Sequence, residues 1–134
     1  MIAVVCVDDK GGMLFNKRRQ SSDAALIDDL VRLAGDRKII IGKFSEALFA
    51  NYSNKTVIAD DFLQSAKEDD LCFIENIDLL LLSDSIKGLI VYHWNRVYPS
   101  DMKFGIKLSD YRMVGSFEFV GCSHEKITRE EYVK

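Results

Sequence analysis

Chemistry in this chain concentrates in few places. Lys17-Arg18-Arg19, followed by Gln20 and Ser21, is the strongest cluster. It follows an apolar run and precedes a helix start, so its cations and the helix N–H groups could together hold a phosphate or carboxylate. The competing reading is a solvated basic loop paired with Asp8-Asp9. Two adjacent arginines point in different directions, so one of the two is expected to face inward. Asp23 stands at the start of the same helix. By default it stabilises the first turn; otherwise it is a site acid. His124, in Cys122-Ser123-His124-Glu125, is the other candidate for catalysis, either hydrogen-bonded locally or reaching a site. Tyr92, Trp94 and Tyr98 could pack in the core or form a wall for a planar ring. His93, between Tyr92 and Trp94, reads as a satisfied core or rim histidine.

Other chemistries find little support. Cys6, Cys72 and Cys122 are an odd number with no C-x-x-C spacing, and two lie inside apolar runs. They read as free, buried thiols in a reducing compartment. A Cys122–His124 nucleophile pair is the other option. Two isolated histidines and scattered cysteines do not make a four-ligand site, so no metal is expected.

The elements that must position these residues follow from the hydropathy pattern. Ile2-Ala3-Val4-Val5-Cys6-Val7 is a buried strand closed by Asp8-Asp9-Lys10-Gly11-Gly12. Residues 13–21 read as a loop that turns polar and basic after Phe15. Ser21-Ser22-Asp23 supplies helix-cap chemistry. Ala24, Ile27, Leu30, Val31 and Ala34 follow at helical spacing, with Gly35 as C-cap. Further strands are Lys38 to Ile41, Thr56 to Ala59, Leu71 to Ile74 and Leu89 to Tyr92. Ser45 to Ala50 reads as a short helix, and Asp60 or Asp61 caps a helical turn through Ala66. Met113 to Val120 alternates and is expected to be antiparallel. The tail from Ser123 fits an edge strand or a short helix.

Strands alternating with helices imply an α/β domain over residues 1–134, with a mostly parallel central sheet, an antiparallel C-terminal edge and flanking helices. Ligands gather at the carboxyl ends of such strands, so the segments after Val7, Ile41 and Val91 are the candidate walls. Apolar residues are 48%, charged residues 29%, net charge −3 and pI about 5.4. This balance argues against a dedicated nucleic-acid binder. Met1 leads directly into a run too short to span a membrane and without a basic n-region, so a cytoplasmic protein without a membrane partner is expected. Monomer and homodimer stay open.

The chain resembles dihydrofolate reductase. Ile2 to Asp8 with Gly12-Met13 resembles that family's first strand and the start of its active-site loop. Ile40-Ile41-Gly42-Lys43 with Glu46-Ala47-Leu48-Phe49 resembles the strand, glycine and helix that meet the cofactor. Ser100-Asp101-Met102-Lys103-Phe104 resembles the late loop ending in Asp-x-x-Phe, and Ser116 to Phe119 the penultimate strand. The resemblance implies that fold, a pteridine- or nucleotide-like ligand, and a role for Asp23 as the pteridine-binding acid. The departures are as informative. The Pro-Trp of the family loop is replaced within Phe15-Asn16-Lys17-Arg18-Arg19-Gln20. The glycine-rich phosphate turn is replaced by Glu75-Asn76-Ile77-Asp78, whose acids would repel a phosphate. Short bacterial proteins that share the stretch Phe15 to Gln20 are labelled ribonuclease Z, but that family's two-metal motif is missing here.

The expectation is a protein that holds a small anionic, pteridine- or nucleotide-like ligand through Lys17, Arg18, Arg19, Gln20, Ser21, Asp23 and Tyr92, without standard NADPH-dependent reduction. Asp23 and His124 are the candidates should it catalyse a reaction. A divergent NADPH-dependent reductase and an RNA-processing nuclease are the alternatives.

Overall fold

The computed structural model describes residues 1–134. Its seven-stranded sheet has β1 (Ile2–Val7) at its centre, in the order β5-β4-β6-β1-β7-β10-β9. β4 (Ile39–Ile41), β5 (Thr56–Ile58), β6 (Leu71–Phe73) and β7 (Gly88–His93) run parallel with β1. β9 (Arg112–Phe119) and β10 (Ile127–Val133) form an antiparallel hairpin, with β10 against β7 and β9 at the edge. The mostly parallel sheet with an antiparallel C-terminal edge is therefore present. The tail is a strand, yet an interior one: β10 pairs on both sides, which explains why Ile127 and Tyr132 are buried between its half-buried charged residues.

Two apolar layers cover the sheet. One face packs against α1 (Ala24–Ala34), which buries Leu26, Ile27, Leu30 and Ala34 over Val4, Ile39, Ile41, Phe73 and Ile90. Leu26 takes the inward place expected for Ala24, which is exposed. Gly35 ends the helix at φ 61°, a conformation that favours glycine, and its N–H donates to the Arg32 carbonyl. The opposite face is covered by Met13, Leu79, Leu82, Ile86 and α2 (Phe62–Ser65), whose N-cap is Asp61.

Three local expectations are corrected. The stretch read as a short helix from Ser45 to Ala50 is a longer 3-10 segment, Lys43–Lys55, interrupted by non-helical backbone at Phe49 and Tyr52. Only Ser45 and Phe49 are buried on it, so one narrow contact holds it and no regular amphipathic face enforces an α-helix. Residues 13–21 are not merely a loop. β2 (Gly12–Phe15) and β3 (Arg18–Arg19) form a hairpin that pairs with β8 (Met102–Lys103) in a second, three-stranded sheet. Its two-residue turn, Asn16-Lys17, has positive φ at both positions (52° and 61°), the type I′ pattern that suits strand twist. Asn16 tolerates this backbone, but Lys17 gives no turn signal in the sequence. Cys122, finally, is exposed rather than buried, whereas Cys72 is buried and Cys6 half-buried.

Tyr92 belongs to this packing and not to a ligand wall. Its side chain is wholly buried under α1, and its hydroxyl donates to Asp29 Oδ2 at 2.7 Å. Burial, then the Asp29 carboxylate, push its pKa far above the ordinary tyrosine value. Asp29 is also gripped by Arg129 Nη1 at 2.6–2.7 Å, which ties α1 to β10. Leu30→Ala removes a fully buried side chain from this interface. It is expected to cost about 2–5 kcal/mol in urea denaturation, with a cooperative transition retained.

Candidate functional site

The carboxyl end of β1 lies where the strand order diverges: the connection after β1 leads to β4 on one side, and that after β6 crosses to β7 on the other. Open α/β sheets place their crevices at such points. Two polar centres flank this end, separated by a small cavity.

The first centre is built on Asp23. Asp23 is the N-cap of α1 rather than a first-turn acid, and its Oδ1 accepts from the Ala25 N–H at 2.9 Å. The same carboxylate accepts from the N–H groups of Cys122 and Ser123, both at 2.9 Å, and from Ser123 Oγ at 3.2 Å. His124 Nδ1 completes the set at 2.9 Å from Oδ2, with both side chains almost fully buried. Burial alone would raise the carboxyl's pKa. The Cys122 N–H, His124 and the Ser123 and Ala25 N–H groups outweigh it and hold the value well below the usual carboxylate range. The other imidazole nitrogen, Nε2, lies 2.8 Å from the Tyr98 hydroxyl and 3.2 Å from Ser21 Oγ. Trp94 stacks on the ring at 4.6 Å between centroids and 23° between planes. The two candidates for catalysis, 101 residues apart in sequence, thus meet directly. The Cys122–His124 pair does not form: Cys122 contributes its backbone N–H to Asp23.

The second centre is built on Arg19. Its Nε and Nη2 donate to Glu75 Oε1 and Oε2 at 2.9 and 3.0 Å, and Nη2 also donates to the Phe44 carbonyl. The guanidinium lies over the Phe44 ring at 4.8 Å. Glu75 accepts a further bond from Ser45 Oγ at 2.6 Å. Arg19 is the inward arginine, whereas Arg18 and Lys17 are exposed on the hairpin. Strand alternation explains the split, because neighbours on β3 face opposite sides.

Gln20 lies between the two centres and ties the loops together. Its Nε2 donates to Asp8 Oδ2 and to the Pro99 carbonyl, and its Oε1 is buried without a partner. Asp8 does not pair with the basic hairpin. It accepts from the N–H groups of Lys10, Gly12 and Tyr98, which closes the loop after β1. His93 sits at the rim with Nε2 2.5 Å from Glu130.

Between the centres lies a cavity of about 10 Å³, lined by Cys6, Ser21, Leu26, Leu48, Phe73, Glu75 and Trp94 among others. That volume suits about one water. A wider cleft of about 300 Å³ lies at the opposite ends of the strands, by Ile2, Arg37 and Lys87. The sequence reading overlooked Ser45 and the backbone donors of Cys122 and Ser123. It marked Glu75 only as an acid in place of a glycine. A serine four residues past a strand carries no sign of a carboxylate partner 30 residues away.

With this geometry in place, comparison with solved structures is decisive for the fold. A dihydrofolate reductase from Enterococcus faecalis, complexed with NADP(H) and RAB-propyl, superimposes with a TM-score of 0.69. The match covers 98% of this chain and 94% of the other, at 11% identity. The fold is that of dihydrofolate reductase. No family model matches the sequence, and no curated protein does so at a significant level. No group of three or more His, Cys, Asp and Glu could hold a metal ion, and no helix is long and apolar enough to cross a membrane.

Two tests follow for the Asp23 centre. A Cβ at Gly121 would lie 2.5 Å from Asp23 Oδ2 and 2.8 Å from the His124 carbonyl oxygen. Gly121→Ala is expected to destabilise the fold by about 1–3 kcal/mol in denaturant titration. The depressed Asp23 pKa also sets a sign. In the unfolded chain this carboxyl protonates near pH 3.9, but in the folded chain only at much lower pH. Its stabilisation is therefore complete above about pH 4 and lost progressively on further acidification. Asp23→Asn should be less stable at pH 6 and show a flatter fall in stability between about pH 4 and pH 2.

Proposed function

We propose that the chain binds a small anionic ligand, pteridine- or nucleotide-like, at the carboxyl ends of β1, β4 and β6, and that it does not carry out standard NADPH-dependent reduction. The observation that carries this reading is the two-point grip of Arg19 on Glu75. A planar guanidinium that holds an internal carboxylate through two parallel bonds has the geometry for a ligand's carboxylate or phosphate. Arg19 keeps 28% of its side chain exposed, so an incoming anion could reach it by exchanging with Glu75. Phe44 beneath the guanidinium adds an aromatic face.

Glu75 also weighs against NADPH. It stands at the end of β6, where the family resemblance would put phosphate-binding glycine amides. It brings negative charge and engages Arg19 Nε and Nη2 and the Ser45 hydroxyl. The reading as a divergent reductase draws on the shared fold, and on the NADP(H) bound to the Enterococcus faecalis enzyme. At 11% identity this likeness speaks to the fold alone.

The test is a thermal-shift screen with NADPH, NADH, folates and mononucleotides, followed by calorimetry. A ligand at 100 times its Kd stabilises by about 2.7 kcal/mol. NADPH is expected to bind no tighter than tens of micromolar, and a Kd in the low micromolar range or below would overturn that part of the proposal. Glu75→Gln keeps the size of the side chain and frees Arg19. It is expected to raise affinity for the anionic ligand about tenfold, whereas Arg19→Ala should lower it by about 1–3 kcal/mol. Arg18→Ala, at an exposed position, should change little.

A further inference from the structure

The Asp23 centre contains an arrangement that the anion-binding reading does not use. We propose that Ser21, His124 and Asp23 act as nucleophile, base and orienting carboxylate, and that Ser21 Oγ attacks short-chain carboxylic esters. The reading is independent of Arg19 and Glu75.

The argument starts from the proton on His124. Asp23 is ionised and lies 2.9 Å from Nδ1, so Nδ1 carries the proton and Nε2 is left as an acceptor. That is the tautomer a general base needs, and the imidazole is locked in place by the Trp94 stack and by burial. Ser21 Oγ lies 3.2 Å from Nε2, within reach for transfer of its proton. Base and carboxylate are shielded from solvent, while Ser21 is half-exposed and borders the cavity between the two centres. The cavity has room for about one water, so the acyl group must be short and must part the lining side chains as it enters. The residue after Ser21 offers a donor for the developing oxyanion, since the Ser22 N–H has no acceptor within the protein.

The chemistry balances. Ser21 Oγ forms a bond to the ester carbonyl carbon as its proton moves to Nε2. The carbon–oxygen bond to the alcohol then breaks, and Nε2–H delivers that proton to the leaving oxygen. Water repeats the sequence on the acyl-serine, releasing the acid and restoring Ser21.

Tyr98 makes the proposal discriminating. Its hydroxyl lies 2.8 Å from the same Nε2 and 3.5 Å from Ser21 Oγ. A neutral imidazole nitrogen has one lone pair, so Tyr98 competes with Ser21 for the base. Tyr98 is then a positioning residue that restrains the nucleophile, and Tyr98→Phe should release it. If the cluster only ties the loop before β10 to the start of α1, that change leaves Ser21 as inert as any surface serine.

The experiment treats the intact protein with a fluorophosphonate probe, maps the adduct by peptide mass spectrometry, and follows p-nitrophenyl acetate hydrolysis. The expected result is modification at Ser21, its loss in Ser21→Ala, and labelling about fivefold to tenfold faster in Tyr98→Phe, the scale of one competing hydrogen bond. Circular dichroism and thermal melting verify that each variant is folded. Ser21 unlabelled in both the wild-type and the folded Tyr98→Phe protein would overturn the proposal. So would p-nitrophenyl acetate hydrolysis by folded Ser21→Ala at the wild-type rate.

Discussion

A carboxylate withdrawn from water is the constraint on which this structure turns. An ionised group without partners in a protein interior is very costly, so the fold must bring donors to it. Around Asp23 these come from two distant parts of the chain: the first turn of α1 and the segment 121–124 before β10. Their convergence explains several features at once. The connection between β9 and β10 must close over the helix start. Residue 121 must lack a side chain, because a Cβ would displace the carboxylate. His124 must present Nδ1 to Asp23, which turns Nε2 toward Ser21 and Tyr98. A single cap residue thus positions an imidazole that the helix itself never touches in sequence.

The Arg19 centre obeys the same rule with a different outcome. Glu75 leaves β6 at the carboxyl end of the sheet, a place that would otherwise be open to ligands. It has only 9% of its side chain exposed and meets a guanidinium and a hydroxyl. Neutralisation by Arg19 makes its burial tolerable, and the carboxylate in turn raises the arginine's pKa through the shared hydrogen bonds. The pair is a structural tie from β3 to the residue that leaves β6. Arg19 remains partly wetted, whereas the Asp23–His124 pair is nearly dry.

The sequence made the main sheet legible because its strands are short apolar runs with turn residues between them, and because helical spacing is clear in α1. Element order then carried the fold, even at 11% identity to a structure that superimposes over nearly the whole chain. The second sheet escaped for a local reason. Its hairpin turns on Asn16-Lys17, and a lysine at positive φ contradicts the preference by which such turns are recognised. Tyr92 was misjudged because an aromatic residue at a strand's end can face either the crevice or the helix, and only Asp29 on α1 decides it. Asp23 and His124 were visible as individual candidates, but not as a pair. Nothing in local pattern relates residues whose contact depends on the β9–β10 hairpin folding back across the sheet.

The two centres bear on one question: how a crevice of this fold becomes specific. Shared topology delivers the carboxyl ends of β1, β4 and β6 to one place, and the chemistry there depends on a handful of side chains. Here Glu75 and Ser21 border the same small cavity, whose lining also includes Cys6, Phe73 and Trp94. A ligand that enters must part these apolar walls before it reaches either polar group. On the proposed ligand-binding reading, the walls would act as a selectivity element in their own right. On that reading they would favour a small or flat group that displaces little over a bulky cofactor whose phosphates would also meet Glu75. Under the proposed function, selectivity would then rest on what the crevice excludes as much as on what Arg19 and Ser21 engage.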